Sequence, residues 1–364
     1  MATPIQTELV SEEGLGLGAA LGETNWWQAH PIIFYYLRRF ALYLLTLWGS
    51  FTATFFFFRL IPGNPIAGFI GNLAQQQIVN VQSSQAVIDH YKQVFGLNGN
   101  LFQQYIRYMY QLVAHQTLGP SLISYPTDAG VLILQSLPWT IGLLSVAVVI
   151  AWVIGILAGA LVGWTRGSPV SEFITNVSLA LSHIPFYFLA LILVFLLAYT
   201  LNVLPSSNAY DSSLLPALTP QFALSVLRHA ILPAFSIVVI SAAGWLISTR
   251  MLMITILGED FLRFANAKGL DQGRIMRSYA LRNVYLPQVT ALGISLGMAF
   301  NGNVLIEQLF TYPGVGHLLV TAINQLDYDT IMGITMLAIF AVLTANLILD
   351  FILPFLDPRV AYVH

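Results

Sequence analysis

The chain has 364 residues, 57% of them hydrophobic and only 8% charged, where soluble domains carry roughly a quarter charged side chains. Water could not solvate such a surface, so lipid is the expected solvent. A net charge of -2, with 14 Lys and Arg scattered along the chain, offers no basic face for nucleic acid. The absence of cysteine excludes disulfides, thiolate metal sites and cysteine nucleophiles. The seven histidines show no paired ligand spacing, so no metal, cofactor or catalytic residue is expected.

A helix needs ~20 apolar residues to cross a bilayer and is the only open-chain form that satisfies its backbone in lipid. Six such runs predict an all-α membrane protein with six spans: Phe40 to Phe58, Leu137 to Trp164, Phe173 to Leu201, Ile231 to Thr249, Val284 to Ile306, and Thr330 to Leu349. Residues 1–35 read as a cytoplasmic extension. They lack the basic and apolar regions of a signal peptide, Gly14, Gly16, Gly18 and Gly22 imply flexibility, and Trp26 and Trp27 suit an interface. Arg38 and Arg39 precede the first span and place the N-terminus inside. Alternating from there, only Arg59, Lys92, Arg107 and Arg228 of the 14 basic residues fall outside, which predicts a cell-membrane protein with both termini cytoplasmic.

Residues 62–136 form an extracytoplasmic insertion too long for a turn. Val87, Ile88, Tyr91 and Phe95 recur at helical spacing, as do Phe102, Tyr105, Ile106, Met109 and Val113, with Gly96 to Gly99 as the break. Two short helices capping the bundle are expected, either as a lid packed on it or as part of a docking surface for an external partner. Asn202 to Pro220 reads as a loop.

The cytoplasmic stretch 255–286 is the most charged part of the chain. Glu259 and Asp260 suit the start of a helix, Gly269 suits a left-handed helix end, and Ile275, Met276, Tyr279 and Leu281 outline a second helix before Pro287 opens the next span. A merely solvated loop has no need of that apolar periodicity, so this segment is expected to dock another protein.

Other motifs yield to plainer readings. Gly293 to Gly297 matches a nucleophile elbow but lies inside an apolar span, where small residues serve helix packing. Gly155, Gly159 and Gly163 form the same kind of ridge. Neither Lys92 nor Lys268 follows a glycine, so no phosphate-binding loop exists. Polar residues within spans are costly and mark function by default. Asn301, Asn303 and Glu307 are therefore candidates to line a path, 303 and 307 being one turn apart on one predicted helix face; interhelical hydrogen bonding is the competing reading. Asp350, Asp357 and Arg359 mark the inner interface.

Phe264-Ala265-Asn266-Ala267-Lys268-Gly269-Leu270, followed by Ala280 to Asn283 and Leu286-Pro287, resembles the EAA loop of the dipeptide/oligopeptide/nickel group of ABC importer permeases. Similar matches are Arg59 to Pro65, Phe95 to Asn98 with Gln104-Tyr105, Glu307 to Gly316, and Asp357 to Arg359. Resemblance covers roughly residues 35 to 362. The chain departs from the pattern in its extension before Trp27 and in Asn266, where the family often has a basic residue. The resemblance implies the type I permease fold, a second homologous permease, two cytoplasmic ATPases and an external substrate-binding protein. It implies coupling to an ATPase through Glu259, Asp260, Ala265, Ala267, Lys268, Gly269, Leu270, Arg274 and Arg282, with no nucleotide bound by this chain. Peptides come first as cargo, then oligosaccharides, then nickel complexes.

A secondary transporter would explain the spans but would ordinarily carry midplane ionisable residues, and these spans are nearly charge-free. A membrane hydrolase would need a catalytic constellation at one depth, and His183 is the only histidine well inside a predicted span.

Overall fold

Long apolar runs become long helices, because inside lipid the backbone can pair only with itself. The computed structural model describes residues 31–61, 89, 92–299 and 303–356. In chain order its helices are α1 (Pro31–Leu60), α2 (Leu101–Tyr110), α3 (Ala129–Trp164), α4 (Pro169–Ser182), α5 (Phe186–Leu193), α6 (Pro220–Ile256), α7 (Asp260–Ala267), α8 (Leu281–Met298), α9 (Val304–Leu309), α10 (Val315–Asn324) and α11 (Tyr328–Leu356). Among the described residues α1, α3, α6 and α11 are long and apolar enough to cross a membrane, and α4 with α5 and its extension to Thr200 counts as a fifth crossing if taken together.

Two of the six expected spans differ from the sequence reading. The third, expected to run unbroken from Phe173 to Leu201, bends by 93° between Ser182 and Phe186. Pro185 supplies no backbone donor and turns the residue before it away from helical geometry, so the helix stops at His183 and restarts beyond Pro185. The fifth, expected over Val284 to Ile306, ends at Met298, and Ile306 belongs to the separate short α9. Eighteen residues of α8 extend ~27 Å, a little less than the ~30 Å hydrocarbon core. The helical turns Gln272–Arg274 and Ile275–Ala280 run directly into α8 and lengthen it at its N-terminal end.

Close approach of α3 and α6 organises the bundle. A Cβ on Gly155 would strike Trp245, one on Gly159 would lie 2.7 Å from the Thr249 Cβ, and one on Gly163 2.7 Å from the Met253 Cβ. The three glycines thus form the packing ridge expected of their spacing. Helices α1 and α11 pair antiparallel: Arg39 near the start of α1 and Asp350 near the end of α11 form an ion pair at 3.3 Å, and Tyr43 meets Thr344 at 3.0 Å. Large apolar side chains such as Leu45, Leu134 and Leu224 stand two-thirds exposed on the outside of the bundle, as lipid contact requires.

In the insertion between α1 and α3, Asn100 and Gln103 form a reciprocal capping box that starts α2, after Gly96 and Gly99 turn the chain at φ +64° and +91°. Tyr108 of α2 packs with Phe55 of α1 and with Met332 and Met336 of α11. Asp327 fixes the neighbouring loop by accepting from Ser121, from the Leu122 N–H at 2.9 Å and from the Thr330 hydroxyl at 2.8 Å. The second helical pattern expected in the insertion therefore folds onto the first and last spans. Of the first pattern, Val87, Ile88 and Tyr91 lie outside the described residues, and Phe95 is buried at the end of a short helical stretch.

Candidate functional site

The charged segment expected to dock another protein begins where α6 ends. Glu259 is the N-cap residue of α7, and Asp260 in its first turn complements the helix dipole and pairs with Arg263 at 3.3 Å. The helix ends in a full Schellman turn, with the Gly269 N–H on the Asn266 carbonyl at 2.9 Å and the Leu270 N–H on the Ala265 carbonyl at 3.4 Å. Gly269 has φ +71°, the left-handed conformation expected there, and a Cβ on it would meet nothing within 4 Å. Asp271 caps the next turn by accepting from the Arg274 N–H at 3.2 Å, while Gln272 donates to the Asn266 side chain at 2.7 Å.

This segment has two faces. Inward, Leu262 and Ala265 pack with Ile275, Ala280 and Val284 against Met253 of α6 and Ala160 of α3. Outward stand Glu259, Asp260, Ala267, Lys268, Gly269, Arg274 and Arg282, together with Phe261 and Phe264, the latter 68% exposed. Of the residues expected to couple, Ala265 is buried as an anchor and Leu270 is half-buried; the others are on the surface. Phe261 and Phe264 were not among the expected contacts. Their signal was in the sequence nonetheless, as aromatics on the exposed face of a short amphipathic helix.

At the opposite end of the bundle from α7 the Glu307 carboxylate is fully buried. It accepts from the Thr140 hydroxyl at 2.9 Å, from the Gly316 N–H at 2.7 Å and from the His317 N–H at 3.2 Å. Thr140 in turn accepts from the Val315 N–H at 2.8 Å. Glu307 and Thr140 together therefore take the first three donors of α10, the groups a helix start leaves unpaired. A Cβ on Gly314 would strike this carboxylate, so glycine there lets the chain approach it. Asn303 and Glu307 are one helical turn apart, as the sequence reading had it, and the Asn303 N–H donates to the Glu307 carboxylate at 3.4 Å, but both belong to the short α9 and not to the fifth span, which ends at Met298. Asn303 is the N-cap residue of α9, accepting from the Ile306 N–H at 3.2 Å. Asn301 lies outside the described residues.

Residues 151–362 match the family described as the binding-protein-dependent transport system inner membrane component. Similarity extends further along the chain in individual relatives. A di/tripeptide transport system permease protein of Pseudomonas aeruginosa is 32% identical over 89% of this chain and 98% of its own length. An oligopeptide transport system permease protein of Bacillus subtilis is 30% identical over 90% of this chain and 99% of its own, and a dipeptide transport system permease protein of Escherichia coli is 29% identical over 90% and 98%. The chain belongs to this family. As an inner membrane component it is a multi-pass membrane protein, and the matched range contains both the charged segment around α7 and the Glu307 cluster.

Proposed function

We propose that this permease subunit imports di- or oligopeptides delivered by an extracytoplasmic binding protein, paired with a second homologous permease and driven by two cytoplasmic ATPases. The observation that carries this reading is the division of the cytoplasmic segment. An exposed face around Phe264, Lys268 and Gly269 rests on an apolar anchor that reaches both α3 and α6. A partner that pushes on the exposed face would move the spans, because close-packed interfaces pass on displacement rather than absorb it. The names of the relatives support peptides over oligosaccharides or nickel complexes as cargo. In this reading residues 1–35 and both termini are cytoplasmic, 62–136 face outside, and α8 completes a sixth crossing. Asn303 borders the outer end of the path, and Glu307 shapes it by holding α10 in place. Reconstituted with its partners in proteoliposomes, the permease should take up labelled dipeptide when ATP is supplied. Uptake driven by an ion gradient without ATP would instead assign a secondary transporter.

A further inference from the structure

Gln288 joins three spans at one residue. It is 2% exposed, directly after Pro287 in α8. Its side-chain Nε2 donates to the Ser248 hydroxyl of α6 at 3.1 Å, and its main-chain oxygen accepts from the Trp152 indole of α3 at 3.1 Å. Tyr285, one turn earlier, packs edge-on against Trp152 at 5.6 Å. Val284, on the same face of α8, belongs to the apolar anchor beneath α7. A displacement of α7 therefore reaches the first turns of α8 and meets the α3/α6 pair at Gln288. That pair is locked by its glycine ridge and has little freedom of its own.

The contacts of this conformation account for only one end of the Gln288 amide. Among the described residues its buried Oε1 has no hydrogen-bond partner, and the buried hydroxyl of Thr249, beside Ser248 on α6, has none either. An unsatisfied buried polar group costs free energy that an apolar side chain of the same shape would avoid. Ser248 itself lies on the exposed side of α6, so its bond to Gln288 can be exchanged without opening a packed core. A carboxamide with one end bonded and the other unpaired suits a contact that has a second arrangement.

Resting on the importer reading above, we infer that Gln288 is a positioning residue that carries movement of the cytoplasmic segment into the α3/α6 pair by changing hydrogen-bond partners on α6 between access states. Gln288→Met keeps the length and removes the amide; Ser248→Ala removes the same bond from the other side. Both are placed in the full complex of two permeases, two ATPases and binding protein, and three quantities are read: melting temperature, substrate-stimulated ATP hydrolysis, and peptide transported per ATP. Gln288→Met should melt at or above the wild-type temperature and still hydrolyse ATP, while transport per ATP falls about fivefold or more, the usual size of a coupling between sites. Ser248→Ala should show the same uncoupling. Transport per ATP at the wild-type level in either variant overturns the inference, as does a fall in melting temperature and transport together with their ratio to hydrolysis unchanged. If Gln288→Met does not assemble, Ser248→Ala decides alone. A wild-type complex without ATP-dependent uptake sinks the importer reading instead.

Discussion

Thr140 and Glu307, 167 positions apart, meet at 2.9 Å and jointly cap the start of α10. Thr140→Val preserves shape but removes the donor to Glu307 and the acceptor for Val315. Each group left unpaired costs ~1–3 kcal/mol when buried. A clear fall in the melting temperature of the purified permease is expected, and Glu307→Gln, which keeps an acceptor, should cost less than Glu307→Ala. Equal melting of Thr140→Val and wild type would show that the cluster does not hold α10.

Asn303→Leu follows from the same corner of the molecule. Since Asn303 caps the short α9, its loss should cost ~1 kcal/mol in the manner of other helix caps. Transport should fall only as far as the amount of folded protein in the membrane does. A loss of uptake well beyond that amount, measured per assembled transporter, would show that Asn303 contacts the cargo.

Spans one, two, four and six were legible because hydropathy over ~20 residues is the property lipid selects. Helix ends were less legible. Helix α6 continues past the apolar run Ile231 to Thr249 to Pro220 and Ile256, because Arg228 and His229 can sit in a helix that has left the lipid. The bend at Pro185 had a local signal that the surrounding apolar run masked. The glycine ridge and the left-handed Gly269 were readable from spacing and residue type, since close approach and positive φ make demands that few residues meet. The partnership of Glu307 with Thr140, and of Gln288 with Ser248 and Trp152, had no such signal: those contacts depend on how distant helices dock.

Leu262 and Phe264 stand two positions apart on α7 with opposite exposures, 3% and 68%. Leu262→Ala empties part of the anchor and should destabilise by ~2–5 kcal/mol. Phe264→Ser removes a side chain already in water and should leave the melting temperature near wild type, yet weaken copurification of the ATPases. Loss of thermal stability without loss of the ATPases in Phe264→Ser would place that ring in the core instead.

Membrane orientation can be read from two single cysteines in this cysteine-free chain. Asn98 and Gln272 are both exposed, at the start of α2 and after the Schellman turn. Cysteine at 98 should react with an impermeant maleimide on intact cells, and cysteine at 272 only after permeabilisation. Labelling of both from outside contradicts the proposed orientation.

Gly269 separates backbone strain from surface contact. Its φ of +71° disfavours any side chain, by ~1–2 kcal/mol for an ordinary L-residue. Asparagine tolerates that region better than other non-glycine residues, and nothing lies within 4 Å of a Cβ at 269. Strain alone therefore predicts that Gly269→Asn is nearly neutral and Gly269→Ala mildly destabilising. Arginine adds bulk and charge on the exposed face beside Lys268 without touching the spans. If that face receives the ATPase, Gly269→Arg should reach the membrane with its partner permease but lose ATPase association or the stimulation of hydrolysis by loaded binding protein. Gly269→Asn should keep both. Copurification and stimulated hydrolysis, measured side by side in the three variants, decide the matter: wild-type values for both in Gly269→Arg, with transport intact, would remove residues 259–282 from the docking surface.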